Sequence, residues 1–324
     1  MTHRSLCVPV WPFALLLMLL APVVSAQTIP LAPYEEVTPW GPAVAGSLEW
    51  EPAGLEVDAR GTLYLLRRSD PAMLAISPAG AVQQSFANTM FVWAHGIHLD
   101  RGGNIWATDC TVGSPTSTDL LPVNAAAIRA GRGHQVYKFS PDGTLRLTLG
   151  TAGEAGGGPE RFNCPTDVVT APDGSIFVSD GHDGMANARI VKFAADGRFL
   201  KEWGKRGSGP GELSGPHALA LDSRGRLLVA DRGNKRIQVF DQDGAVLEQF
   251  TEFGGPAGMA LAADDTLFIT DSQKKHVLVG SARTGKVTGV IPGIYAEPIA
   301  VDAEGNLYIG EVHPHTLRKF RPKK

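Results

Sequence analysis

Three side chains able to hold a divalent metal, His95, His217 and Glu297, recur at one phase of an internal repeat. Each stands five residues before the residue that opens a tight turn; in the other copies that phase carries Ala53, Thr166 and Ala257. The three candidates fall in copies two, four and six. In a closed ring of six, alternate copies lie about 120° apart, so the three side chains converge on the axis. Two imidazoles and a carboxylate with a position left open form the donor set of a catalytic zinc. The plainer reading of any one of them is a polar residue at a channel mouth.

A second set lies just after the second strand of each copy: Arg68, Asp109 with Cys110, Asp180 with His182, Asp231 with Arg232, Asp271, and Glu311 with His313. Acids repeated at one position read as turn caps and partners between neighbouring copies. Arg68 and Arg232 take equivalent places in copies one and four, opposite each other. Two guanidinium groups there suit an anionic substrate or a developing oxyanion, with surface salt bridging as the alternative.

The elements that must position these groups are hairpins. AHGIHLDRGGNIWATD, from Ala94 to Asp109, holds two strand-like runs around an Asp-x-x-Gly turn in which Gly103 can take positive φ. The pattern returns from Gly54, Asp167, Ala218, Gly258 and Pro298, with turns opening at Asp58, Asp100, Ala171, Asp222, Ala262 and Asp302. Most spacings suit one four-stranded blade of about 40–50 residues. Further strands follow most hairpins, as in VYKFSPDGTLRLTLG from Val136 and IQVFDQDGAVLEQF from Ile237. The expected fold is all-β, a six-bladed β-propeller, in one domain over residues 27–324. PYEEVTPWG, near the N-terminus, matches the outermost strand of other blades and is expected to complete blade six. The segment from Cys110 to Gly133 is left as one long irregular loop, of the kind that is functional or disordered.

Residues 1–26 carry Arg4, an apolar run through Phe13 and Leu17, and the small-x-small sequence Val24-Ser25-Ala26. This reads as a secretory signal peptide, so the mature chain is expected to be exported, periplasmic or secreted, with no stable membrane insertion; an uncleaved anchor is the alternative. The chain is 43% hydrophobic and 19% charged with net charge −3, and no basic patch calls for nucleic acid. Of three cysteines, Cys110 and Cys164 remain after cleavage, and a disulfide between them would pin the long loop.

AHGIHLDRGGNIWATD with HQVYKF, then CPTDVVTAPDGSIFVSDG, ARIVKF, GPHALAL and VADRGNKRIQVF, resemble in order the propeller of the peptidyl-α-hydroxyglycine α-amidating lyases, within the wider NHL-repeat group. The resemblance spans roughly residues 50–320. It implies a zinc at the channel mouth held by three histidines, two of which match His95 and His217. It implies substrate-side arginines at Arg68 and Arg232, and a calcium lower in the channel on the backbone carbonyls of Leu55 and Ile97. The chain departs from that pattern at the third zinc histidine, where it has Glu297, and at a calcium-binding aspartate, where it has Pro298. It also has His182 in place of the catalytic tyrosine, and Cys164 is shifted by one from the family's cysteine, whose disulfide is lost. His182 could serve as a base near neutral pH or as a fourth ligand.

The expected function is therefore a metal-dependent lyase acting on a small carbinol or amide-type substrate, small molecule or peptide. His182 would move a proton while Arg68 and Arg232 hold negative charge. Alternatives are a hydrolase or lactonase on the same site, or a non-catalytic NHL scaffold; the oligomeric state is open.

Overall fold

Four of the six inner hairpin turns, those opening at Asp58, Asp100, Asp222 and Asp302, are closed by that aspartate. Asp100 accepts from the backbone N–H groups of Gly102 and Asn104, both at 2.9 Å, while Gly103 takes φ +76°. Asp222 accepts from Arg224 at 3.0 Å and Arg226 at 2.8 Å in the same way. These bonds satisfy turn donors that water would otherwise have to reach, and they set the reversal between strands.

The structure, a computed structural model, describes Met1 and residues 28–41, 51–111, 124–182 and 187–324. The expected signal segment and residues 112–123 of the long loop lie outside the described residues. Among those described, six antiparallel sheets of four strands form the blades. Strand β1 (Tyr34–Glu36) comes first in the chain, and blade one follows as β2 (Pro52–Val57), β3 (Leu63–Arg67), β4 (Met73–Ile76) and β5 (Val82–Phe86). Blade two is β6 (Ala94–Leu99), β7 (Ile105–Asp109), β8 (Gln135–Phe139) and β9 (Leu145–Leu149). Blade three is β10 (Pro165–Thr170), β11 (Ile176–Asp180), β12 (Arg189–Phe193) and β13 (Phe199–Trp203). Blade four is β14 (Pro216–Leu221), β15 (Leu227–Asp231), β16 (Arg236–Phe240) and β17 (Val246–Phe250). Blade five is β18 (Gly258–Leu261), β19 (Thr266–Asp271), β20 (His276–Ser281) and β21 (Val287–Pro292). Blade six is β22 (Ala296–Val301), β23 (Leu307–Glu311) and β24 (Thr316–Pro322), completed by β1. Tyr34 pairs with Pro322, Glu35 with Arg321 and Glu36 with Phe320. This joins the N-terminal strand to the last blade, as the sequence predicts.

Six apolar clusters hold the ring, one between each pair of neighbouring blades. Blades two and three meet through Trp106, Val136, Val168, Ile176 and Val178, and blades five and six through Phe268, Val277, Ile299 and Ile309. The second strands face such a cluster on each side, which is why runs such as LYLLR and LLVAD are buried at every position. One feature of the long loop is not foreseen from sequence: Ala125–Arg129 form a short helix, α1, whose cap Asn124 accepts from Ala126 at 3.1 Å and Ala127 at 3.2 Å.

The innermost strands β2, β6, β10, β14, β18 and β22 pack in succession around the axis. At the position after each mouth residue stand Gly54, Gly96, Asp167, Ala218, Gly258 and Pro298. A Cβ on Gly96 would lie 2.5 Å from the carbonyl of Thr166 in the next blade, and one on Gly258 would clash with the carbonyl of Glu297. The neighbouring backbone cannot yield cheaply, because it belongs to a bonded strand. Gly258→Ala is therefore expected to destabilise the fold by at least about 1–3 kcal/mol, the usual range for overpacking, read as a lower urea midpoint at unchanged slope.

Candidate functional site

A repeated irregularity aims the candidate ligands. In β6 the ladder runs from Ala94↔Asp109 directly to Ile97↔Ala107, so His95 and Gly96 share Thr108 as their only opposite residue. The same slip places His217 in β14 and Glu297 in β22. Such a bulge turns a side chain out of the ladder, here into the channel. All six mouth residues line one channel of about 450 Å³.

His95 and His217 are both buried, and each binds its neighbouring blade through Nδ1. His95 Nδ1 lies 2.7 Å from the carbonyl of Thr166, and His217 Nδ1 lies 2.6 Å from that of Ala257. A carbonyl can only accept, so Nδ1 carries the proton and Nε2 keeps its lone pair. Neither Nε2 has a hydrogen-bond partner, although both are buried. Glu297 Oε1 sits 3.2 Å from His217 Nε2 and 3.7 Å from His95 Nε2 without the alignment of a hydrogen bond. Two orphaned lone pairs beside a carboxylate fit a metal ion, since metal-bound histidines are oriented by such second bonds.

His182 joins this group. One ligand atom from each of His95, His182 and His217 lies within 4.8 Å of the others, compact enough to hold an ion. Arg232 Nη2 is 3.4 Å from His182 Nε2. The ring of Trp93 stands edge-on to His95 and His182, with centroids 5.5 and 5.7 Å away, and its face meets Arg68, whose guanidinium carbon is 3.8 Å from the ring centre. Arg68 also bonds Glu51 through Nη1 and the carbonyl of Ala94 through Nε. Its charge is thus matched locally, while the sequence reading gives it an anion-binding role. Leu55 and Ile97 line the same channel farther from the mouth. Pro298 supplies no side-chain ligand there, so the fit for calcium is incomplete.

Electrostatics favour ligand-ready forms. Burial, then the neighbouring His217, holds the His95 imidazole well below its ordinary pKa, against the pull of Glu297. Burial and then Arg232 lower His217. Burial alone would raise the Glu297 carboxyl, but His217, Arg68 and His95 outweigh it and hold it well below the usual carboxylate range. Imidazoles that give up the Nε2 proton readily, beside a carboxylate that attracts positive charge to that position, suit a metal cation in the proton's place.

The acids at the ends of the second strands act as caps, as expected. Asp109 accepts from the N–H of Trp93 at 2.8 Å, Asp180 from Asn163 at 2.7 Å, Asp231 from Ser214 at 2.7 Å, Asp271 from Gly255 at 3.1 Å and Glu311 from Tyr295 at 3.1 Å. Each ties down the segment that enters a mouth position. Cys110 and Cys164 are disulfide-bonded. Cys110 N–H donates to the carbonyl of Trp93, and the carbonyl of Cys164 accepts from Gly181, so the bridge fastens the approaches to both His95 and His182.

Sequence reasoning overlooked three participants. Thr108 accepts from Gly96 N–H at 2.8 Å and donates to the carbonyl of Thr166 at 3.1 Å, the acceptor that also holds His95. Thr270 does the same between Gly258 and the carbonyl of Glu297. The Thr-Asp pair ending their strands was visible, but its contact across blades was not. Asp167 accepts from Leu219 N–H at 2.8 Å and Val168 N–H at 2.9 Å beside the channel. It is the one acid at a phase otherwise held by Gly, Ala or Pro, and that contrast was its signal.

The NHL-repeat family model matches residues 213–240. Mouse NHL repeat-containing protein 3 (Mus musculus) is 30% identical over 285 residues, covering 81% of this chain and 76% of that protein. Mouse peptidyl-glycine alpha-amidating monooxygenase is 28% identical over 345 residues, covering 87% of this chain; the chain spans only 33% of that relative's length. Peptidyl-alpha-hydroxyglycine alpha-amidating lyase 1 of Drosophila melanogaster is 28% identical over 293 residues, covering 78% of this chain and 49% of that protein. Among the described residues no helix is long and apolar enough to cross a membrane.

Burial raises the Asp167 carboxyl to about 8. The folded chain thus holds a proton that the unfolded chain releases near pH 3.9, so this group's contribution to stability is complete below about pH 4 and is lost as pH rises through about 8. Asp167→Asn cannot titrate. The stability of the wild type relative to that variant should shrink steadily from pH 4 to 8 in urea titrations; a constant difference would contradict the assignment.

Proposed function

The chain belongs to the NHL-repeat family of β-propellers, and from that premise we propose that it is a metal-dependent lyase of the amidating kind, acting on N-acyl α-hydroxyglycine-type carbinol amides. The observation that carries this reading is the pair of buried imidazoles, each fixed through Nδ1 to the next blade, whose orphaned Nε2 atoms converge with Glu297 on the axis. The names of two amidating relatives supply the reaction class.

His95, His217 and Glu297 would hold a divalent ion, with zinc the best match to the donor set. When bound, the ion supplies Lewis-acid polarisation of a hydroxyl or carbonyl oxygen. Arg232 donates to His182 Nε2 in this structure; when that guanidinium turns to the substrate carboxylate, the Nε2 lone pair takes the proton from the carbinol oxygen. The electron pair of that O–H bond becomes the second bond of a new carbonyl as the C–N bond breaks, and the departing nitrogen takes up a proton. The balance is one carbinol amide giving one primary amide and one aldehyde acid. Arg232 faces the carboxylate of the substrate, and Trp93 walls the site on the side of blade two. In the wider view the chain is an exported enzyme, a role that the signal-like N-terminus and the disulfide support.

Purified, metal-loaded protein should release the aldehyde acid from an N-acyl α-hydroxyglycine. His182→Phe should lower kcat by about 10²–10⁴-fold with metal content retained, the range for loss of a general base. Hydrolysis of esters or lactones without C–N cleavage would replace the lyase reading with the hydrolase one. Loss of the metal in His182→Phe would make His182 a ligand and refute its role as the base.

A further inference from the structure

One bond recurs between the second strand of a blade and the approach to its mouth residue. The residue just after that strand donates its N–H to the carbonyl two positions before the mouth: Arg68 to Glu51, Cys110 to Trp93 and Gly181 to Cys164, each at 3.0 Å, and Arg232 to Gly215 at 3.3 Å. In blades two and three a disulfide joins two of these pairs, since Cys110 is the donor of one and Cys164 the acceptor of the other. A continuous path of bonds therefore runs from Trp93 through Cys110 and Cys164 to Gly181, the neighbour of His182.

Side chains close the same circuit. The Trp93 ring meets that of His182 with centroids 5.7 Å apart at 85°. On the face of the indole lies Arg68, 3.8 Å from the ring centre, and that guanidinium is itself held by Glu51 and the carbonyl of Ala94. The Trp93 backbone is fixed at both ends, its N–H by Asp109 and its carbonyl by Cys110. The indole thus stands as a fixed backstop to the His182 ring. His95 and His217 have anchors of their own, the carbonyls of Thr166 and Ala257.

We propose that Trp93 is a positioning residue for His182, held to that task by Arg68 on its face and by the Cys110–Cys164 disulfide. The assignment rests on the reading of His182 as the base of a carbinol-amide lyase. Arg232 leaves His182 Nε2 when it turns to the substrate carboxylate, and the contact with Trp93 then keeps the imidazole where its lone pair meets the carbinol oxygen. The hold on the ion does not depend on Trp93, because the next blade already fixes His95 and His217. A misplaced base slows the chemical step and leaves substrate binding as it was.

Turnover of an N-acyl α-hydroxyglycine by the metal-loaded protein, with metal content measured on every variant, tests this. Trp93→Ala should lower kcat by about 10- to 10²-fold, the loss that a displacement of about 1 Å brings, with metal content and KM kept. Trp93→Phe should keep most of kcat, because a ring remains at the contact. A Cys110→Ala, Cys164→Ala double variant should lose kcat in the same way; should it fail to fold, the two Trp93 variants decide. A readout independent of turnover is the rate at which diethyl pyrocarbonate modifies His182, followed by peptide mapping. That rate should rise severalfold in Trp93→Ala and stay near the wild-type value in Trp93→Phe. An unchanged kcat in Trp93→Ala or in the folded double variant, loss of metal together with kcat, or a Trp93→Phe as slow as Trp93→Ala would overturn the proposal. If no protein turns over a carbinol amide, the lyase reading falls and the modification rate alone decides the positioning: a rise in Trp93→Ala upholds it, and an unchanged rate overturns it.

Discussion

The close approach of neighbouring inner strands governs the rest of this molecule. Gly96 and Gly258 leave no room for a side chain because the next blade's backbone stands there, and that same nearness brings a carbonyl within reach of an imidazole two positions deep in the fold. His95 reaches Thr166 where blades two and three meet backbone to backbone at Gly96, and His217 reaches Ala257 across the next seam but one, beside Ala218. The bond decides the tautomer, and the tautomer decides that Nε2 faces the axis as a lone pair. A ring built for mechanical closure thus also presets the donor atoms of its centre.

Around that constraint the charged groups divide into two tasks. The acids ending the second strands serve the scaffold, capping the segments that lead into the mouth. Glu297 serves the centre, held ionised by His217, Arg68 and His95 despite its burial. Arg68, matched by Glu51 and covered by Trp93, belongs as much to the wall as to any ligand. Arg232 stands beside His182, with Nη2 3.4 Å from His182 Nε2.

Much of this was legible in the residues. The recurring turns, opened by aspartate in four copies and alanine in two, and the strand-like runs around them revealed six copies, and counting five residues back from each turn found the channel positions, because the bulge recurs at the same place in each ligand-bearing blade. A bulge leaves no mark of its own in sequence, so the reason those side chains point inward had to come from the ladder. His182 showed itself in the set that follows the second strands and as a departure from a related family's tyrosine; its approach to His95 and His217 depends on how far the segment after β11 reaches. The threonine relays and the anchoring of Trp93 join residues in different strands or blades, and no local pattern encodes a contact across such distances. The helix at Ala125–Arg129 was missed because five residues carry too little periodicity to register against an irregular loop.

The central claim is that two imidazoles are preset to take a metal on the propeller axis. Elemental analysis of the purified protein, beside a His95→Ala, His217→Ala double variant whose folding is checked by circular dichroism, tests it most directly. The account predicts about one divalent ion per wild-type chain, zinc by preference, and none in the folded variant. A wild type that stays free of metal after incubation with zinc would contradict it, as would a folded variant that binds the ion as tightly as the wild type.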